Sequence, residues 1–491
     1  MDERFDTNDW AQANFGGNDF RDVRLTKRCV SIGQAMATHP ERFISGLSIK
    51  SADVVATYRF LHNPLTNYKS VTKTHTEKTR NQISERANEA QQAGEPKPYI
   101  LLLGDSSDII FGYNRNIENA GPIGENNEGQ GFILHPNLAV DFNTQQILGI
   151  ASVDIFDRKP CPKAKNGKRL STYQRAKLED RESKIWSIAV DSLGPPVEGA
   201  INVCVNDRGA DIYEYFQKLQ QTGYSFVVRA QQMQRVVYAP RAPETPRHLR
   251  EYAMSLPIAA TYEVEVKQQI VDHKKQNARK ACMEMRIGSI LLPAPRISKE
   301  TSFIKMNIVF LCENVDKAVD STGSPCPVKE PLEWLLQTDL PVESVSDGAM
   351  IRDMYRERWL IEEYFCSMKS GCGMETALLQ DADSLKTLCG FYSVCSLFLL
   401  ELKRLQYYQS DADVYEVVPK IWVEVLEKNL RDKKPVRTVR DFYIGVARMG
   451  GYLNRKCDPA PGWKRLWRGW KELLLLVDGY QLALNTLCRR C

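Results

Sequence analysis

Three acidic residues, Asp105, Asp207 and Glu362, stand far apart in the chain and share one chemical aptitude. Asp105 follows the short apolar run Tyr99-Ile100-Leu101-Leu102-Leu103 and Gly104, and Asp207 follows Ile201 to Val205 and Asn206. Around Glu362 the residues Tyr355, Arg358 and Lys369 recur at helical spacing. At 100° per residue these four side chains fall on a stripe about 60° wide, and Glu357 and Glu363 lie off it. A surface helix laced by its own ion pairs has the same spacing. The chemical alternative is a carboxylate for a hard metal ion, flanked by cations that grip phosphates. Three carboxylates suit phosphoryl transfer on two Mg²⁺-type ions about 4 Å apart, which serve the attacking and the leaving oxygen. Distance along the chain does not by itself bring the three together.

The elements that must position them follow from pattern. Residues 1 to about 78 read as helices, with Arg21, Arg24, Lys27 and Arg28 on one side of a helix ending near His39-Pro40. From residue 97 the signal turns to strands: Tyr99–Leu103, then Ile133–Val140 and Ile147–Val153 as an antiparallel hairpin. A helix over Leu178–Leu193, a strand over Ile201–Val205, a helix over Ala210–Gln221 and a strand over Ser225–Arg229 complete a mixed α/β layout. Two central strands each deliver an aspartate at the C-terminal edge, where open α/β sheets build their sites. Residues 236 to about 340 read as a β-rich insertion, and the chain is helical again from Asp347.

Composition bounds the class. The 491 residues are 43% hydrophobic and 26% charged, which excludes a disordered or collagenous chain and suits about three domains. The net charge of +5, from 66 basic against 61 acidic residues, is too small as a total to name a partner. Thirteen scattered cysteines without paired CxxC spacing read as reduced thiols, and the polar Met1-Asp2-Glu3-Arg4 start is not a signal peptide. The longest apolar run, Phe391–Leu400, is short of the roughly 20 residues that span a bilayer. The expected location is the cytoplasm.

Three segments, Leu103-Gly104-Asp105-Ser106-Ser107, Val205-Asn206-Asp207-Arg208-Gly209-Ala210-Asp211 and Tyr355-Arg356-Glu357-Arg358-Trp359-Leu360-Ile361-Glu362-Glu363, resemble the DDE transposases of bacterial insertion sequences. More narrowly, Tyr355, Arg358, Glu362 and Lys369 keep every gap of that family's Tyr-Arg-Glu-Lys signature branch. The likeness extends to Ala56-Thr57-Tyr58-Arg59-Phe60 with Asn63-Pro64, to Phe226-Val227-Val228-Arg229, to Trp334-Leu335-Leu336, and to Gly462-Trp463 with Leu466-Trp467-Arg468-Gly469-Trp470. Gly209 departs from it, since the relative has an acidic residue there.

The resemblance implies a ribonuclease-H-like mixed-sheet core with a β-rich insertion, flanked by α-helical N- and C-terminal domains. Its segments would be a DNA-binding domain over 1–78, a catalytic domain over 79–405 with the insertion at about 236–340, and a dimerisation and DNA-contact domain over 406–491. It implies two Mg²⁺ or Mn²⁺ ions per site on Asp105, Asp207 and Glu362, and phosphates held by Tyr355, Arg358, Lys369 and Arg229. Trp334 would stack on a flipped-out base. A homodimer would bind the inverted-repeat ends of a transposon, cleave them, through a hairpin in this branch, and join the 3′-ends to target DNA. Arg21, Arg24, Lys27, Arg28 and Arg59 would contact DNA from the N-terminal helices. The rivals are a ribonuclease-H-like nuclease without strand transfer, and a repeat-binding regulator that does not cut.

Charge distribution says more than its total. Eight basic residues and no acid lie between Arg158 and Lys177, among them Lys163, Lys165, Lys168 and Arg169, a loop suited to DNA phosphates. Lys274-Lys275 to Arg279-Lys280 and Arg431 to Arg440 are lesser candidates. The last 37 residues hold eight basic residues against three acidic ones. The final helix carries Trp463, Leu466, Trp467, Trp470, Leu473, Leu474 and Val477 on one broad apolar face, which must pack within the chain or pair two subunits. No Walker A loop, GxGxxG after a strand, HExxH or GxSxG occurs. His135, beside Pro136, reads as a structural residue.

Overall fold

The protein is described by a computed structural model. It describes residues 7–40, 42, 44–47, 50–112, 115–159, 170, 174, 178, 181–271, 274–276, 278–295, 302–320, 322–430, 434–456 and 458–488. The architecture is mixed α/β, with a large mixed sheet and helical termini. The chain divides into two compact units that are not consecutive stretches of sequence.

One unit comprises Pro96–Asp105 and Cys161–Trp359. Three parallel strands form its centre: Tyr99–Gly104 beside Ile201–Asn206, and Ile201–Asn206 beside Ser225–Arg229. Their near-continuous apolar character is that of strands covered on both faces, and Leu101, Leu103, Val203, Val205 and Val227 are fully buried. Helices Ile185–Leu193 and Tyr213–Thr222 belong to this layer, with Phe216 packed on Phe226 at 4.9 Å between ring centroids. The β-rich insertion continues the same sheet. Glu333–Thr338 pairs antiparallel with Ser225–Arg229, and Phe303–Glu313 and Arg279–Pro293 follow in order.

Two helix boundaries differ from the sequence reading. Regular α-helix starts at Ile185, after a 3₁₀ turn Glu182–Lys184, rather than at Leu178, and it stops at Gly194 as the Gly-Pro-Pro punctuation predicts. The next helix starts at Tyr213 instead of Ala210, because Arg208–Ala210 is a 3₁₀ turn capped by the Asp207 side chain. Apolar periodicity cannot register a short turn that a carboxylate holds.

The other unit comprises Met1–Glu95, Ser106–Pro160 and Leu360–Cys491. Helices Thr7–Phe15, Val23–Thr38, Ser51–Leu61 and Tyr68–Gln92 occupy its N-terminal part. The last of these runs without interruption through residue 78. They pack on the helix Ala382–Tyr408 through aromatic contacts: Trp10 on Phe398 at 5.3 Å, Phe15 on Phe391 at 5.4 Å and Phe60 on Phe391 at 5.8 Å. Ala382–Tyr408 is long and apolar enough to cross a membrane by length and composition, yet 88% of its apolar window is buried inside the protein. The expected hairpin is present, Gly129–Asp141 against Ile147–Phe156, and Arg86 from the helix Tyr68–Gln92 pairs with the buried Asp141 at 2.7 Å. Nine described cysteines are free thiols, as their spacing suggests.

The apolar face of the helix Trp463–Cys488 is covered within the chain. Leu466, Trp467, Trp470, Leu473, Leu474 and Val477 are buried, and Trp470 meets Trp422 edge to face at 5.0 Å. That face therefore packs internally, the first of the two alternatives its pattern left open.

Two histidines of this unit are buried without charge. His75 Nε2 accepts from the Ile150 N–H at 3.0 Å, so its proton sits on Nδ1, 2.7 Å from Asn14 Oδ1. His135 Nδ1 lies 2.8 Å from Ser106 Oγ, which fits its reading as a structural residue. Burial lowers both imidazoles to about 3. Between pH 3 and the ordinary histidine value the unfolded chain binds a proton at each position and the folded chain does not. Stability is thus complete above about pH 6.5 and falls by about 1.4 kcal/mol per histidine for each pH unit below it. Denaturant midpoints should drop clearly between pH 7 and pH 5; equal midpoints would contradict the buried neutral state.

Candidate active site and DNA-binding elements

The parallel pairing of Tyr99–Gly104 with Ile201–Asn206 sets Gly104 opposite Asn206. The residues that follow, Asp105 and Asp207, therefore leave neighbouring strands at the same level, at the C-terminal edge. Asn206 locks this edge: its side-chain amide donates to the Gly104 carbonyl at 3.0 Å, and its oxygen accepts from Tyr215 Oη at 2.8 Å. Arg358 Nη1 donates to Asp105 Oδ2 at 3.2 Å, with both side chains partly shielded from solvent.

Tyr355, Arg358, Arg229 and Trp334, singled out separately in the sequence, form one cluster in this unit. The Trp334 ring stands edge to face with Tyr355 at 5.2 Å, and the Arg229 guanidinium lies over Trp334 at 5.7 Å. Arg358 lies 5.8 Å from the Tyr355 ring centre. Burial pushes the Tyr355 phenol up, against the pull of Arg358 and Arg229. Trp334 is only partly buried, so it is not an ordinary core tryptophan. It borders an open cleft of about 380 Å³ whose walls include Leu311, Leu332, Tyr262 and Arg352.

Asp211 is a residue whose role the sequence did not reveal. Its side chain is fully buried. One carboxylate oxygen accepts from the backbone N–H groups of Gln231 and Gln232 at 2.8 and 2.9 Å. The other accepts from Arg235 Nη1 at 2.6 Å and Gln337 Nε2 at 3.0 Å. It thereby ties the turn that starts at Asp207 to the strand ends that carry Arg229 and Trp334. The available signal was an aspartate four residues after Asp207, at the far end of a tight turn. Gly209 sits within the same turn, and its N–H donates to Asp207 Oδ1 at 2.7 Å. A Cβ there would lie 3.0 Å from that oxygen and 3.1 Å from the Trp186 ring, which accounts locally for glycine at this position.

Glu362 and Lys369 belong to the other unit. Glu362 lies in the first turn of the helix Trp359–Cys366. The expected single helix is broken: Val345–Glu357 ends at Arg358, and Ser367–Gly371 is a π-helical turn. The angular stripe, drawn for an unbroken α-helix, therefore does not carry through to Lys369. Lys369 Nζ donates to the Asp108 carbonyl and pairs with Glu375 at 3.5 Å. The neighbouring Glu363 forms an ion pair with Lys403, so the two adjacent glutamates are set apart by their surroundings. Within either unit taken alone, among the described residues, no group of three or more acidic, histidine or cysteine side chains is placed to hold a metal ion.

The N-terminal cations are distributed otherwise than one helical stripe would have them. The helix starts at Val23 with Asp22 as its N-cap, and Arg21 precedes it at φ 59°. Arg24 pairs with Asp22 at 3.0 Å, and Arg28 reaches Asp53 on the next helix at 3.0 Å. Lys27 and Arg59 are exposed. Residues 7–65 match a family model described as Transposase DNA-binding. These helices are thus similar to a transposase DNA-binding domain, which supports a DNA-processing transposase with DNA as its partner. The predicted basic contacts Lys163, Lys165, Lys168 and Arg169 lie outside the described residues, as do Arg175, Lys177 and Arg431. At its start, Arg158 pairs with Asp108 at 3.3 Å. Arg279 is no DNA contact. It is buried against Glu313 at 2.8 Å, because a strand interior tolerates a cation only with a carboxylate partner.

All four groups that meet the Asp211 carboxylate are donors, so an asparagine would turn its own amide hydrogens against some of them and leave Arg235 uncompensated. Asp211→Asn should lower stability by about 3 kcal/mol in denaturant unfolding. A loss under about 1 kcal/mol would contradict its role as the tie between these strands.

Proposed function

We propose that the protein is a cut-and-paste DNA transposase with a ribonuclease-H-like core of the Tyr-Arg-Glu-Lys branch. It binds terminal inverted repeats as a homodimer in the cytoplasm, at the nucleoid when DNA is bound. The observation that carries the reading is the emergence of Asp105 and Asp207 from neighbouring parallel strands, in a chain whose residues 7–65 match a transposase DNA-binding domain.

Asp105, Asp207 and Glu362 are the proposed ligands for two Mg²⁺ or Mn²⁺ ions. Their donors are all carboxylate oxygens, the set that hard divalent cations prefer, and two of the three stand at adjacent strand ends. Bound there, the ions would supply charge neutralisation and activation of the attacking oxygen. Arg358, Arg229 and Lys369 hold phosphates of the strand that is not transferred, with Tyr355 beside them. Trp334 receives a flipped-out base by stacking. Its partial exposure beside an open cleft and the Arg229 guanidinium over its ring support that role.

The reaction is a series of phosphodiester exchanges. Water attacks the phosphodiester at each transposon end and displaces the 3′-oxygen of the transposon's terminal nucleotide, which leaves a 5′-phosphate on the flank. The freed 3′-hydroxyl then attacks the opposite strand, forming a hairpin and releasing the flank, and a second water reopens the hairpin. The 3′-ends finally attack target DNA, each new P–O bond replacing one that breaks.

Cleavage of end-bearing duplex in Mg²⁺ tests the assignment. Glu362→Gln should cut more than about 100-fold slower than wild type; equal rates would remove Glu362 from the site. Trp334→Ala should nick normally yet form little hairpin, and an unchanged hairpin yield would reject the flipped-base role.

A further inference from the structure

We infer that Lys403 is a positioning residue for the metal centre: through Glu363 it fixes the roll of the helix Trp359–Cys366 about its axis, and so the direction in which Glu362 leaves that helix. The inference rests on the reading of Glu362 as a metal ligand. Leu360, Ile361, Tyr364 and Phe365 are buried, whereas Glu362 and Glu363 are both partly exposed. At 100° per residue the four buried positions span about 140°, and the two glutamates lie about 60° beyond its opposite ends. Apolar burial therefore does not tell one glutamate from the other. A modest roll either way would sink one carboxylate and lift its neighbour.

The fold breaks this tie from one side. Lys403, on the helix Ala382–Tyr408, is buried, and its ammonium forms an ion pair with Glu363. The Trp463 ring lies beside the same ammonium at 5.8 Å, so the cation meets an aromatic face as well as a carboxylate. A buried ammonium without a carboxylate is costly, so Glu363 cannot swing away without stranding Lys403. Tyr364, near the middle of the buried arc, donates from Oη to the Ser393 carbonyl at 3.1 Å. A tie near the middle sets the depth of the helix, and one at the edge has the longer lever against rolling. The pair has a second effect. It withdraws Glu363, an equally hard donor one position from Glu362, from competition for a divalent cation.

The test follows Mn²⁺ binding to the full chain on duplex already cleaved at the transposon end, by electron paramagnetic resonance with the duplex-alone signal subtracted, and unfolding temperature beside it. Lys403→Met should bind Mn²⁺ about tenfold more weakly, the usual cost of losing a residue that orients a ligand. Lys403→Arg keeps the charge and should recover most of that loss. Lys403→Met combined with Glu363→Met strands no charge; it should unfold at or above the wild-type temperature and still bind Mn²⁺ weakly. A double variant as stable as wild type and as tight for Mn²⁺ would reduce the pair to a folding element and overturn the inference. Undiminished binding by Lys403→Met would overturn it too. Should Lys403→Met not fold, Lys403→Gln, neutral yet able to donate to Glu363, takes its place with the same two outcomes. Glu362→Gln separates this inference from the reading beneath it. If Glu362→Gln binds Mn²⁺ as wild type does, the ligand reading falls and takes the inference with it. If Glu362→Gln loses binding and Lys403→Met does not, the inference alone falls.

Discussion

The parallel register between Tyr99–Gly104 and Ile201–Asn206 is the constraint on which the candidate site depends. Side chains alternate along a strand, so a shift of one residue would exchange the side chains packed against the two covered faces and move the two aspartates out of step. Apolar burial thus fixes the placement of charge. Asn206 fastens the edge from within, and Asp211 fastens the turn beyond it to the strands of Arg229 and Trp334. A carboxylate opens the turn and another closes it. The first is partly exposed, and the second is wholly enclosed by donors.

The β-rich insertion gains a purpose from the same sheet. Its strand Glu333–Thr338 lies next to Ser225–Arg229, so Leu336 is opposite Arg229 and Trp334 is close enough for the guanidinium to lie over its ring. Arg279–Glu313 and Arg286–Glu284 are buried or nearly buried ion pairs deeper in these strands. They are poor sources of net stability, but an unpaired member would be costly, and this discriminates against misregistered pairing.

Strand identity and order around Asp105 and Asp207 were legible because buried parallel strands are short apolar runs with clear punctuation. The apolar stripe of the last helix was legible too, and its partners, Trp422 and Phe442 on other helices, were not, since periodicity shows that a face must be covered without showing by what. Boundaries failed where a side chain overrode propensity, as Asp207 does in capping a 3₁₀ turn. The cations at Arg24, Arg28 and Arg279 looked alike in sequence; only the fold separates an exposed local pair, a bridge between helices and a buried bridge between strands. Asp211 was hidden for a related reason, because all its partners come from distant segments.

The π-helical turn at Ser367–Gly371 has a consequence for how this segment tolerates change in length. A π turn is an α-helical turn that accommodates one residue more. Removing Ser367 or Met368 would restore an ordinary turn, yet would swing Lys369 about a third of a revolution from the Asp108 carbonyl and Glu375. Here the number of residues matters more than their identity. Many substitutions would be milder than a single deletion, although the deletion alone would leave a better helix.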